Sequence, residues 1–100
     1  MVLTGKQRRF LRAQAHHLTP IVTIGKEGLS DGAVSAVAGA LLDHELIKVR
    51  LLEGSALPRG EAAQALAEAT RAESVGVVGR VVLLYKRHPN KPTLKLPRDE

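Results

Sequence analysis

Residues 20–49 read PIVTIGKEGLSDGAVSAVAGALLDHELIKV, an order of patterns that predicts a strand, a glycine loop, a helix and a second strand. The apolar run Ile21–Ile24 is typical of a short strand, and the Ser30 hydroxyl can cap the helix that follows. From Leu46 to Leu52 apolar and basic side chains alternate, as in a half-buried strand. Two strands joined through a helix predict an α/β fold.

The rest of the chain extends this unit at both ends. Helical periodicity, alanine content and β-branched runs mark the further elements. They are a helix over 5–17 capped by Thr4, a loop over 53–60, a helix over 61–72, and strands over 74–78 and 81–85 joined at the two-residue turn Gly79-Arg80.

The resulting order, α-β-α-β-α-β-β, predicts one α/β domain over residues 1–97 with a short tail at 98–100. We expect a four-stranded mixed sheet with the run VVLLY (81–85) in its centre, because that run does not alternate. Right-handed crossovers would put the second and third helices on one sheet face. The first helix would cover part of the other face, or an end of the sheet, with the apolar stripe Leu3, Phe10, Leu11 and Leu18. We expect Thr93–Leu96 to add a short edge strand.

The net charge of +5 is unevenly distributed along the chain. Lys and Arg number five against one acid in residues 1–29, four against seven in residues 30–79, and six against none in residues 80–98. If the two basic ends meet in the fold, they form one positive face of the kind that binds nucleic acid. The alternative is a solvated surface with uneven charge.

Several function classes have no support in the sequence. There is no Cys, so no disulfide or thiolate metal site is expected, and no apolar run approaches the roughly 20 residues of a membrane span. No P-loop, nucleophile elbow or dinucleotide motif is present. We interpret Asp43-His44-Glu45 as a solvated helix end, and His16 and His17 diverge on a helix. We therefore expect a cytoplasmic protein that is not an enzyme, with no cofactor, metal, membrane or small-molecule substrate.

The loop Gly25-Lys26-Glu27-Gly28 lies between a strand and a helix, where it can hold a phosphate. Glycines let the main chain approach a ligand closely, and the free N–H groups of a helix N-terminus attract anions. The carboxylate of Glu27 opposes this interpretation by repulsion, and a plain tight turn is the alternative. Phe10 and Tyr85 are the only aromatic residues, which argues against base stacking on a sheet and for contacts to phosphate, shape and 2′-OH groups.

These motifs resemble those of YhbY-type proteins, free-standing CRM domains (chloroplast RNA splicing and ribosome maturation). The resemblance covers residues 3–97 and is carried by LTGKQRRFLRAQAHHLTPIVTIGKEGL (3–29), HELIKVRL (44–51) and VGRVVLLYKR (78–87). It implies a fold similar to the C-terminal domain of a bacterial translation initiation factor. It also implies RNA binding through the GxxG loop and a basic first helix, and association with precursors of the large ribosomal subunit.

We therefore predict a monomeric RNA-binding protein that assists large-subunit assembly by binding structured 23S-type rRNA. The loop and the second-helix N-terminus would hold a phosphate, and the first helix and the basic tail over residues 86–95 would add contacts nearby. Two alternatives stay open: a general nucleic-acid chaperone or DNA-associated protein, and a basic protein–protein adaptor. The predicted RNA-binding residues are Lys6, Arg8, Arg9, Arg12, His16, Gly25, Lys26, Glu27, Gly28, Lys86, Arg87, Lys91 and Lys95.

Overall fold

A computed structural model of the protein describes residues 2–52 and 58–98. Most of the predicted loop at 53–60 lies outside the described residues. The elements follow the predicted order: α1 (Gly5–Ala15), β1 (Pro20–Ile24), α2 (Asp31–His44), β2 (Leu46–Leu51), α3 (Arg59–Thr70), β3 (Glu73–Val78) and β4 (Val81–Tyr85).

Local signals set the helix starts. The Thr4 hydroxyl accepts a hydrogen bond from the Gln7 N–H, and the Gln7 side chain accepts one from the Thr4 N–H, so α1 begins with a capping box. The Ser30 hydroxyl caps α2 by accepting from the Ala33 N–H at 3.1 Å. Helix α3 begins at Arg59, two residues before the predicted start, because Pro58 occupies its N-cap position.

The sheet has the strand order β1-β2-β4-β3. Strands β1 and β2 pair in parallel, whereas β2 with β4 and β3 with β4 pair antiparallel. The predicted four-stranded mixed sheet is thus confirmed, with β4 inside it. Gly79 lies in the β3–β4 turn with φ +59°, a conformation that favours glycine.

Both sheet faces are covered, each by a different set of elements. Helices α2 and α3 bury Val37, Leu41 and Leu66 against Val49, Val82 and Leu84 on one face. On the other face, α1 and the C-terminal segment pack on Leu83 and Tyr85 of β4 through Leu11, Leu94 and Leu96. The predicted placement of the three helices is therefore confirmed.

Two details of the sequence interpretation are wrong. Leu18 is 37% exposed, because α1 ends at Ala15 before the residue can join the apolar stripe. Thr93–Leu96 forms no strand. Instead, the N–H groups of Thr93 and Leu94 donate to the carboxylate of Glu45, and Leu94 and Leu96 pack against the α1 core.

In the described part of the chain, no helix is long and apolar enough to cross a membrane.

Candidate nucleic-acid interface

The loop Gly25–Gly28 is a tight turn at the end of β1. The Gly28 N–H donates to the Gly25 carbonyl at 3.1 Å, and the Ser30 N–H donates to the Gly28 carbonyl at 3.0 Å. Gly28 has φ +74°, which favours glycine, while a Cβ added at Gly25 or Gly28 would meet nothing within 4 Å. The space above both glycines is therefore open, and packing does not explain the absence of side chains there.

The loop leads directly into the N-terminus of α2, which has a positive partial charge. Ser30 satisfies one N–H of the first turn, and helix geometry leaves others directed outward. Lys26 and Glu27 are exposed at the loop tip, and Asp31 is exposed in the first turn of α2. Because this segment holds one lysine and two carboxylates, further cations for an anionic ligand must come from neighbouring elements.

The predicted RNA-binding residues do not form one cluster. The loop, the start of α2 and the β3–β4 turn share one end of the sheet, because Ile24 pairs with Leu51 and Val78 pairs with Val81. Tyr85 and the tail after it lie at the other end, next to the C-terminus of α2. A helix of 14 residues spans about 21 Å, so Lys86, Arg87, Lys91 and Lys95 lie roughly that far from the loop.

Helix α1 runs from the tail end of the sheet towards the loop end. At its start, the Gln7 amide donates to the Pro97 carbonyl at 3.1 Å, which brings the two basic chain ends together as the charge pattern suggested. At its finish, His16 lies beside Val78 and Val81. Lys6 and Arg9 therefore belong to the tail end, whereas Arg12 and His16 approach the loop end.

Two of the predicted arginines have structural contacts on β3. The Arg8 guanidinium donates to the Ser74 carbonyl and lies 3.8 Å from the Glu73 carboxylate. Arg12 donates to the Val75 carbonyl at 3.4 Å. Both carbonyls lie where the β3–β4 register shifts, and a bulge of this kind leaves backbone groups without strand partners. Lys6 and Arg9 have no such carbonyl partner among the described residues and are exposed.

In the basic tail over residues 86–95, one cation makes a hydrogen bond within the protein and three are exposed. The Lys86 ammonium donates to the Thr70 carbonyl at 2.9 Å, near the C-terminus of α3. Arg87, Lys91 and Lys95 are exposed. His88 is half-buried, and its Nδ1 accepts from the N–H groups of Asn90 and Lys91 at 3.1 and 2.9 Å. The tail therefore has a defined path and presents a fixed row of cations.

Glu45 organises that path, and the interpretation of Asp43-His44-Glu45 as a solvated helix end is wrong for it. Glu45 is 2% exposed, with φ +63° between α2 and β2. Its carboxylate accepts from the His88 N–H at 2.9 Å, and from the Thr93 N–H and hydroxyl at 2.7 Å each. The Leu94 N–H donates to it at 2.9 Å. Burial alone would raise the pKa, but these hydrogen bonds outweigh it and lower the Glu45 pKa to about 2.

The sequence analysis assigned no role to two basic side chains of β2. Lys48 and Arg50 project from the face that α1 covers only in part, and they line a groove together with Arg12 and His16. The alternation in LIKVRL placed them opposite the core, but only the strand order places them beside α1 and the loop. No group of His, Asp or Glu in the described residues could hold a metal ion.

The chain matches a known protein family over most of its length. The model of the CRS1 / YhbY (CRM) domain matches residues 3–86. The chain belongs to this CRM domain family. The CRM domain described here is 42% identical over 96 residues to the probable RNA-binding protein YqeI of Bacillus subtilis, covering 96% of this chain and all of that one. It is 35% identical to an RNA-binding protein of Haemophilus influenzae, with 96% of each chain covered.

A solved structure extends the similarity to three dimensions. The solution structure of a Staphylococcus aureus protein, described as a candidate RNA-binding protein, superposes on this CRM domain with a TM-score of 0.82. The two chains are 38% identical, and the match covers 96% of this chain and all of the other. The α/β fold predicted from the sequence is therefore that of a CRM domain.

Proposed function

We propose that this CRM domain is a non-catalytic, monomeric, cytoplasmic protein that binds structured RNA in precursors of the large ribosomal subunit. The observation that carries the proposal is the open Gly25–Gly28 turn joined to the N-terminus of α2, in a chain of this family. Two relatives and a structural neighbour described as RNA-binding support the ligand class. The ribosomal context rests on the resemblance of the GxxG and HELIKV motifs to YhbY-type proteins.

In this mechanism the loop holds one phosphate. The free N–H groups of the loop and of the first α2 turn face the anion, and Lys26 and Arg12 supply positive charge at the same end of the molecule, where His16 adds a polar side chain. The exposed cations Lys6, Arg9, Arg87, Lys91 and Lys95 contact other phosphates at the tail end. Glu27 repels the phosphate directly beside it, which limits binding of isolated anions.

The separation of the two basic regions favours folded RNA as the ligand. A rigid domain with cations at positions roughly 20 Å apart, the length of α2, selects RNA whose phosphates are held at that distance. Base stacking on aromatic rings has little scope, because Tyr85 is 1% exposed and Phe10 packs on the α1 core. Shape and phosphate contacts therefore supply most of the recognition.

We expect the endogenous protein to sediment with immature large subunits in sucrose gradients. It should be depleted from mature large subunits and from translating ribosomes, because an assembly factor leaves once its site is finished. Its loss should delay large-subunit maturation, more strongly in the cold, where misfolded RNA resolves slowly. Sedimentation only with messenger RNA, or with the chromosome after RNase treatment, would support the chaperone or DNA-associated alternative instead. Association that persists after RNase, with ribosomal proteins alone, would support the adaptor.

The salt dependence of binding should separate the exposed cations from the structural ones. Replacing Lys6 and Arg9 together with Gln should flatten the slope of log affinity against log salt by about one to two units, with no change in melting temperature. Arg8→Gln should instead cost about 1 kcal/mol of stability, because the Ser74 carbonyl loses its donor. Titrations of one RNA hairpin at several salt concentrations, with melting curves, test both effects. An unchanged slope in the double variant would place Lys6 and Arg9 outside the interface.

A further inference from the structure

A groove of about 420 Å³ lies between the C-terminal end of α1 and the sheet. Four basic side chains line it: Arg12 and His16 from α1, and Lys48 and Arg50 from β2. Among the described residues, no carboxylate lines it. Its size lies within the range of roughly 300–1,000 Å³ that is usual for small-ligand sites. The charge and size together indicate a small anionic ligand.

Val78, Val81 and Leu83 form the apolar floor of the groove, which is open because α1 ends at Ala15. The Arg12 side chain lies over Gly76 on the sheet, where a Cβ would be in van der Waals contact with Arg12 Cδ at 3.4 Å. Arg12 thereby covers Leu83 and Gly76, which pair across β4 and β3. The next paired residues towards the loop end, Arg50, Val81 and Val78 on β2, β4 and β3, are left open. Val78 is 66% exposed there, so a large apolar side chain faces solvent between cations.

The cations keep donors available for a ligand. The Lys48 ammonium donates to the Leu18 carbonyl at 2.8 Å, which fixes its position and uses one of its three protons. Arg12 uses one donor on the Val75 carbonyl. The Arg50 side chain is exposed and has no hydrogen-bond partner in the described part of the chain. Its planar guanidinium can stack on a flat ligand as well as bind an anion.

Strand β1 connects the groove to the loop through the pairing of its residues with β2. Arg50 pairs with Thr23, which precedes Gly25 by two residues. Two residues of strand span about 7 Å, so a ligand group in the groove lies close to a phosphate held by the loop. A nucleotide next to a phosphate at the loop is therefore within reach of the groove.

We propose that this groove binds one unpaired nucleotide of the RNA held at the loop. The base lies on Val78 and Val81 with the Arg50 guanidinium against its face, and Arg12 and Lys48 contact its phosphate. An unpaired base is needed because a base inside a helix offers no free face. This inference rests on the proposed function and adds a preference for structured RNA that has a bulge or loop.

The test is methyl NMR of the full-length protein titrated with two RNA hairpins that differ only in a one-nucleotide bulge. Ring currents from a bound base should shift the methyl signals of Val78 and Val81 with the bulged hairpin and not with the paired one. The amide signals of Gly25 and Gly28 should shift with both. Loop shifts without valine shifts would overturn the groove proposal and leave the proposed function intact. If neither region shifted, both would fail.

A pair of variants with equal charge gives an independent measurement. Arg50→Gln should weaken binding of the bulged hairpin roughly three- to tenfold more than binding of the paired hairpin, because it removes a contact to the base as well as charge. Arg98→Gln, which removes the same charge outside the groove, should weaken both hairpins equally. Equal losses on both hairpins for Arg50→Gln would show that the groove contacts phosphate alone and would overturn the nucleotide site. Valine shifts caused by an acidic peptide and by neither hairpin would also overturn it.

Discussion

Glu45→Gln should lower the free energy of unfolding by about 2–4 kcal/mol and release the C-terminal segment from the α1 face. The carboxylate accepts four hydrogen bonds from His88, Thr93 and Leu94. A Gln amide provides one acceptor oxygen and turns its NH₂ group towards N–H donors, so at least one buried donor is left without a partner. Urea unfolding measures the loss, and faster hydrogen exchange at Thr93 and Leu94 reports the released segment.

Glu68→Gln is the matched control for this prediction. Glu68 is exposed on α3 and accepts one side-chain hydrogen bond from Gln64, so its replacement should change stability by less than about 0.5 kcal/mol. Equal urea midpoints for Glu45→Gln and the parent protein would contradict the role given to the buried carboxylate.

Acid should remove the same stabilisation. The Glu45 pKa is about 2 in the folded protein, against an ordinary value of 4.5, so the unfolded chain takes up the proton first as the pH falls. The contribution is complete above about pH 4.5 and is lost between that pH and about 2. The difference in stability between the parent protein and Glu45→Gln should therefore be constant near neutral pH and shrink across this range. A difference that stayed constant down to pH 2 would argue against an ionised Glu45.

Gly28→Asp should reduce RNA affinity by roughly tenfold or more while the domain stays folded. Asp tolerates positive φ better than most residues, so the φ of +74° is kept at modest cost. The open space above Gly28 accepts the side chain, but the carboxylate then lies where we place the phosphate. Affinity for one RNA hairpin, measured together with a melting curve, separates lost binding from lost folding.

Gly28→Asn provides the matched control, because Asn has nearly the same shape and the same tolerance of positive φ without the charge. It should lose less affinity than the Asp variant. A folded Gly28→Asp protein that bound RNA as tightly as the parent would remove the loop from the proposed interface.

The elements that could be predicted from the sequence are those specified by neighbouring residues. Thr4 and Ser30 cap helices through N–H groups three residues later, and Gly79 forms a turn between consecutive strands. The alternation of β2 sets which side chains face the core. The element order and the helix placement follow from such signals. The GKEG loop could be predicted for the same reason, since its position between β1 and α2 depends only on consecutive residues.

What the sequence could not provide depends on contacts between distant segments. The helical arc that contains Arg8 and Arg12 is visible in the sequence, but the bulge of β3 whose carbonyls they bind lies more than 60 residues away. Glu45 likewise meets its partners 43 to 49 residues later. The division of the basic residues between two ends follows from the direction of α1 relative to the sheet, and this direction has no local signature.

Crosslinking of the protein to RNA in growing cells, with both the crosslinked peptides and the RNA sequences identified, tests the central proposal most directly. We predict peptides that contain the Gly25–Gly28 loop, joined to rRNA that still carries the precursor sequences of the large subunit. Crosslinks confined to messenger RNA, or the absence of any crosslink from the loop and the start of α2, would contradict the account.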